Sequence, residues 1–153
     1  MEPEVRPASC EAEYRASFAL LQALAVHENS KEYFKITEDE FVAQATAEQP
    51  RFFVLVARFA GKIVGTATYL RRFHIWNSSD IFVLDDLFIA PDARGQGIGT
   101  RLLEAIGHKA KMENAPVKWQ VQAENHSAIA LYKRMGADFH TSGICWWRPE
   151  NIR

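Results

Sequence analysis

Apolar and polar positions along this 153-residue chain follow two different periods, and the switches between them outline its elements. Near the start, Tyr14, Phe18, Leu21 and Ala25 recur at the spacing of one helix face, with Leu20 and Leu24 beside the stripe. Ser9 stands just before it as the expected N-cap, and Glu11 and Glu13 fall in the first turn, where the helix dipole favours acids. Val5 to Ala8, ahead of that helix, read as a short edge strand. Thr37-Glu38-Asp39-Glu40 has the form of a capping box and predicts a second helix through Phe41, Val42 and Ala45, stopping near Pro50.

The period then changes to that of strands. Phe52 to Phe59 and Ile63 to Phe73 are rich in β-branched and aromatic residues and are joined by Ala60-Gly61-Lys62, which predicts a hairpin. Ile81 to Ala90 is too apolar for an exposed edge and is expected in the middle of a sheet. After a glycine-rich stretch, Ile98, Leu102, Ile106 and Ala110 return to helical spacing, broken before Pro116. Val117 to Ala123 predicts another strand, and Asn125 caps a short helix that runs through Ala128, Ile129 and Tyr132 to a terminating Gly136. Phe139 to Thr141 and Ile144 to Trp147 predict a closing hairpin around Ser142-Gly143. The order β αα βββ α β α ββ is that of an α/β chain with one mixed sheet and helices on both faces.

Size and composition narrow the function. Residues 1–153 are expected to form a single domain, and 48% hydrophobic residues suffice for a sizeable core. A formal net charge of -1 and a pI near 6.5 weigh against a sequence-independent hold on nucleic acid. The two cysteines, Cys10 and Cys145, have no Cys-x-x-Cys spacing, and the polar start Met1-Glu2-Pro3-Glu4 lacks a signal-type segment, so a cytoplasmic setting is expected. No apolar run approaches the roughly 20 residues of a membrane span. The five histidines, at 27, 74, 108, 126 and 140, contain no i, i+4 pair, and no metal is expected.

The candidate chemistry centres on Arg94-Gly95-Gln96-Gly97-Ile98-Gly99, set between the apolar strand and the next helix. Glycines there let backbone N–H groups converge on an anion, the helix adds its positive end, and Arg94 a full charge. A Walker loop would continue Lys-Ser/Thr, but the chain has Thr100-Arg101. A dinucleotide fingerprint would start directly off a strand early in the chain, whereas here Asp92, Ala93 and Arg94 intervene after midchain. The same residues would also make an ordinary glycine-softened helix start, and the motif alone does not choose.

Three features together decide: the glycine loop, Asn125 opening the next helix, and Leu131-Tyr132-Lys133-Arg134-Met135-Gly136 closing it. They resemble the GCN5-related N-acetyltransferase (GNAT) family, whose acetyl-CoA loop Gln/Arg-x-x-Gly-x-Gly/Ala is matched by Arg94, Gly97 and Gly99. A closer resemblance, over most of the chain, is to the spermidine/spermine and thialysine N-acetyltransferase group. Its Leu-Glu-Asp-aromatic strand corresponds to Leu84-Asp85-Asp86-Leu87-Phe88, its loop tryptophan to Trp76, and its acid-rich segment to His27-Glu28-Asn29-Ser30-Lys31-Glu32. The Thr37 capping box and Asn125 with Tyr132-Lys133-Arg134 also occupy matching places. Three departures stand out: Asp85 replaces the family's glutamate, the Trp76 loop is longer by about one residue, and the chain ends soon after Trp146-Trp147.

The resemblance implies an acyl-CoA N-acyltransferase fold around a twisted mixed sheet, acetyl-CoA as donor, and direct transfer to a primary amine. The implied acceptor is a small cation such as a polyamine, a diamine or a lysine-like amino acid. Acetylation of protein lysines or N-termini and non-catalytic acyl-CoA sensing remain open alternatives. A homodimer is likewise implied. Donor-binding positions are Leu87, Phe88 and Ile89 on a splayed strand, Arg94, Gly95, Gln96, Gly97, Ile98, Gly99 and Thr100 in the loop, and Asn125 and Tyr132 on the later helix.

Thioester aminolysis needs a neutral amine, whereas an alkylamine with a pKa of about 10.4 is mostly protonated at neutral pH. Asp85 is the candidate proton acceptor, its shorter reach pointing to a water relay, and Asp86 beside it would help hold the cation. Neighbours on a regular strand face opposite sides, so the two acids can serve one acceptor only across a bulge. Tyr132 is the candidate acid for the departing thiolate. Trp76 and Trp146 are candidates for stacking on the acceptor and Glu28 for attracting it. Ordinary structural roles compete: a buried salt bridge for the acids, a core position for Tyr132, an N-cap for Asn125.

Overall fold

Alternation along the strands decides which helix covers which face of the sheet. The computed structural model describes residues 1–153. Its elements are β1 (Glu4–Pro7), α1 (Glu11–His27), α2 (Glu38–Ala45), β2 (Phe53–Phe59), β3 (Lys62–His74), β4 (Ser79–Ile89), α3 (Ile98–Met112), β5 (Val117–Lys118) and α4 (His126–Arg134). They fall into two compact units, Met1–Trp119 and Gln120–Arg153.

In the first unit the strands lie in the order β1-β2-β3-β4-β5, antiparallel throughout except that β5 runs parallel to β4. Val54 and Val56 of β2 pack with Phe18 and Leu21 of α1 and Phe41 and Ala45 of α2. The opposite face carries α3, whose Leu102 and Ile106 are fully buried. Gly65 sets how near α3 comes: a Cβ there would stand 2.8 Å from Ile89 Cδ1 and 3.3 Å from Ile98 Cγ2. Helices thus cover both faces of a mixed sheet, as the pattern predicts.

The start of α1 differs from expectation. Cys10, not Ser9, occupies the N-cap position and makes no side-chain cap bond. The buried carboxylate of Glu13 does that work from within the first turn, accepting from Ser9 N–H at 2.8 Å and from Arg6 Nη1 at 2.9 Å. These bonds, Arg6 first, hold the Glu13 carboxyl down at about 2. α2 keeps its predicted cap, with Thr37 Oγ1 accepting from Glu40 N–H at 3.1 Å.

Two strand expectations are corrected. The run from Val117 to Ala123 forms a ladder only at Val117 and Lys118, opposite Phe82 and Val83. Phe139 to Thr141 and Ile144 to Trp147 form no strand, and Ile144, Trp146 and Trp147 are exposed. Aromatic and β-branched content measures fit to a half-buried pleated surface, and these residues have none beside them in their own unit. The end of α4 does follow the sequence: Gly136, at φ +98°, closes it with Gly136 N–H to Lys133 O and Ala137 N–H to Tyr132 O, a Schellman pair.

Candidate functional site

The centre of β4 carries a bulge. Thr68 pairs with Asp86 and Tyr69 with Leu84, so Asp85 is an extra residue without a partner on β3. Ahead of the bulge, Phe82 stacks on Tyr69 with ring centroids 5.4 Å apart. Beyond it, Asp86 accepts from Thr68 Oγ1 at 3.0 Å, and Phe88 meets the ring of His27 from α1 at 6.3 Å. The even-numbered positions have changed faces, which brings the consecutive acids Asp85 and Asp86 into one neighbourhood. Burial pushes both carboxyls above their ordinary value; the charge of Asp86 adds to the rise at Asp85, while the Thr68 bond offsets part of the rise at Asp86. Asp85 keeps solvent at its surface even so.

From Leu84 onward β4 has β3 on one side only, because β5 pairs no further than Val83. The backbone of Leu87, Phe88 and Ile89 therefore borders an open edge. At the end of that edge Arg94 turns back, donating from Nε to Ile89 O at 3.0 Å, with its guanidinium 5.2 Å from the Phe88 ring centroid. Gly95 and Gly97 take φ of +78° and +75°, and Gly97 is the N-cap of α3. No atom lies within 4 Å of a Cβ built on either glycine. None of the N–H groups from Gly95 to Thr100 has a backbone acceptor, so they form a row of donors at the positive end of a 15-residue helix. Ile98 itself is 2% exposed, so only its backbone faces the loop. Gly99 sits over Leu87, whose Cδ2 would lie 3.6 Å from an added Cβ. The arrangement can hold an elongated ligand with an anionic end.

In the second unit, Asn125 Oδ1 accepts from Ala128 N–H at 3.3 Å and from Ser127 Oγ at 3.4 Å, making it the N-cap of α4. Tyr132 lies half-buried on that helix, and Lys133 Nζ stands 5.9 Å from the Phe139 ring centroid. Trp146 is 85% exposed.

Of the remaining candidates in the first unit, Glu28 is the C-cap of α1, next to the His27 that touches Phe88. Trp76 is 93% exposed in the turn between β3 and β4. Along the strand, Ser79 to Asp85 spans roughly 20 Å, so Trp76 lies at the far end of the hairpin from the acids. Thr68, which donates to Asp86, belongs to no motif that marks a site in the sequence. Its signal is the pair of hydroxyls at alternate positions of Gly65-Thr66-Ala67-Thr68-Tyr69, two polar side chains on one buried face. No group of three or more His, Cys, Asp or Glu converges, and no helix is long and apolar enough to cross a membrane.

The acetyltransferase (GNAT) family model matches residues 16–137. The thialysine N-epsilon-acetyltransferase of Bos taurus is 28% identical over 136 residues, covering 83% of this chain and 79% of that protein. The D-amino-acid N-acetyltransferase of Saccharomyces cerevisiae is 30% identical over 76 residues, 49% of this chain and 47% of that one. Among solved structures, an aminoglycoside acetyltransferase from an uncultured soil metagenomic sample aligns with a TM-score of 0.78 at 21% identity, covering 97% of this chain and 99% of that chain. At that identity the likeness establishes the fold.

Proposed function

Because the chain belongs to the acetyltransferase (GNAT) family, we propose that it carries acetyl from acetyl-CoA directly to a primary amine of a small cationic acceptor: a polyamine, a diamine or a lysine-like amino acid. The observation that carries this reading is the β4 bulge, which sets Asp85 and Asp86 side by side at the head of an open strand edge leading to the glycine loop. The thialysine acetyltransferase named among its relatives supports an amine acceptor.

The residues present fit the donor. The unused N–H groups from Gly95 to Thr100, with Gln96 and Arg94 alongside, would hold a pyrophosphate, and the glycines leave room for it. The open backbone at Leu87 to Ile89 would take the amide groups of the pantetheine arm, and the family resemblance implies donor contacts for Asn125 and Tyr132 as well. Bound there, acetyl-CoA supplies a thioester open to attack by an amine. Asp86 holds the acceptor's cation, Glu28 attracts it, and Asp85 takes the proton that must leave before the nitrogen can attack, through a water. Its upward-shifted carboxyl makes it a better base for that task than an ordinary aspartate. Tyr132 would give a proton to the departing sulfur. Trp146 offers an exposed aromatic face for stacking on a cation, whereas Trp76, at the far end of the hairpin, does not reach an acceptor held at the acids. The protein works as a homodimer in the cytoplasm.

Free CoA release, measured across a panel of polyamines, diamines, amino acids and basic peptides, tests the reading. Release with the small amines is expected. Release with peptides alone would make the chain a protein acetyltransferase, and tight acetyl-CoA binding without release would make it a sensor. Tyr132→Phe is expected to lower turnover by about 100-fold with acetyl-CoA affinity intact; unchanged turnover would remove the acid from the scheme.

A further inference from the structure

The two acids of the bulge are held differently. Asp86 accepts a hydrogen bond at 3.0 Å from Thr68, whose side chain is buried, at 4% exposure, on the face covered by α1. Asp85 receives no such bond and keeps solvent access. Thr68 is also the last residue of β3 in register before the bulge, so its hydroxyl is fixed at the point where β4 changes faces. One carboxylate is thereby oriented by the sheet while its neighbour remains free to turn.

We propose that Thr68 is a positioning residue of the acceptor site: its buried hydroxyl orients the Asp86 carboxylate as the fixed anchor for the acceptor's cation and leaves Asp85 as the carboxylate that exchanges a proton with it. This rests on the reading that the acceptor amine binds at the acid pair. The titratable groups of β3, β4, β5 and α1, among them Asp85, Asp80, Arg71, Tyr69, Lys118 and His27, make no hydrogen bond to Asp86, and Thr68 is its one side-chain donor. Thr66 provides an internal control. It lies two positions away on the same face, fully buried, and its hydroxyl engages Leu55 O at 3.0 Å and Ser17 Oγ at 2.6 Å instead of an acid.

The 153-residue chain, with acetyl-CoA and putrescine as the probe amine, tests the assignment. Thr68→Val keeps the shape of the side chain and removes its hydroxyl, and a rise in KM for putrescine of about tenfold is expected with kcat changed by less than about threefold. Thr68→Ser restores KM, and Thr66→Val leaves it unchanged. A carbon-detected NMR titration of Asp86 reads the same bond without any acceptor: its midpoint moves up in Thr68→Val and stays in Thr66→Val. An unmoved midpoint, an unchanged KM, or an equal effect of Thr66→Val would overturn the inference. If Asp86→Asn raises KM while Thr68→Val behaves as wild type, only the positioning role falls. If Asp86→Asn leaves KM unchanged, the acid pair is not the acceptor site and the reading beneath falls too.

Discussion

Asp85 carries a cost that its proposed role explains. A carboxyl with a folded-state value above its ordinary 3.8 is more easily ionised in the unfolded chain, so ionisation weakens the fold as pH rises past that value. Asp85→Asn is therefore expected to raise Tm at pH 7 while lowering turnover, and the gain should vanish below pH 3.8, where both states are protonated. Solvent at Asp85 screens the effect, so the gain is on the order of 1–2 °C. A lower Tm at neutral pH would show that the acid is a structural partner instead. Gly97, at φ +75°, is a second position where one residue decides. A valine there would meet no neighbouring atom but would sit in a backbone region that costs a β-branched residue about 1–3 kcal/mol. Calorimetric titration with CoA is expected to show at least about tenfold weaker binding for Gly97→Val, with the far-UV spectrum retained; wild-type affinity would take the loop out of donor binding. Gly97 was legible in sequence because its constraint is local. The importance of Thr68 was not, since it comes from a partner 18 positions away.

Elements with local signals followed the sequence most closely. α2 and α4 begin at their predicted caps, Thr37 and Asn125, and α4 ends at Gly136, because capping bonds span only a few residues. α1 shows where this fails. Its first turn is held by Glu13 and by Arg6 from β1, a contact between two elements that no single-helix rule contains. The pH dependence of that junction has a definite sign. With its folded-state value at about 2 against an ordinary 4.5, Glu13 contributes stability that is complete above pH 4.5 and is lost as pH falls toward 2. Glu13→Gln should therefore lower Tm by a few degrees at pH 7, and the gap between the two melting curves should close on acidification through that window. A gap that stays constant with pH would mean that packing, not charge, holds the junction. The β4 bulge is the element-level feature that matters most for function. Its alternation pattern could be written from the sequence only as a condition, because the extra residue is defined by where β3 runs out of step.

At the scale of the molecule, the last segment departs furthest from expectation. Ile144, Trp146 and Trp147 read as a closing strand, yet they are 61%, 85% and 70% exposed. An exposed cluster of this kind suits contact with a second copy, which the proposed homodimer would supply. Sedimentation equilibrium is expected to give twice the 17.4 kDa protomer mass, falling to that mass when Trp146 and Trp147 are both replaced by serine. A wild-type protein of 17.4 kDa would remove the dimer, and a double variant that stays dimeric would move the interface elsewhere. By itself the sequence determined the α/β order as far as α4, the runs that form β1 to β4, the caps of α2 and α4 and the glycine loop at Arg94 to Gly99. Each of these is set by the preferences of residues within a few positions of one another. Only the tertiary structure decided that β5 leaves β4 after Val83, that Asp85 is the residue left over in the bulge, and that Thr68 reaches Asp86. Those facts depend on register between strands, and register is an agreement between distant segments that neither can express alone.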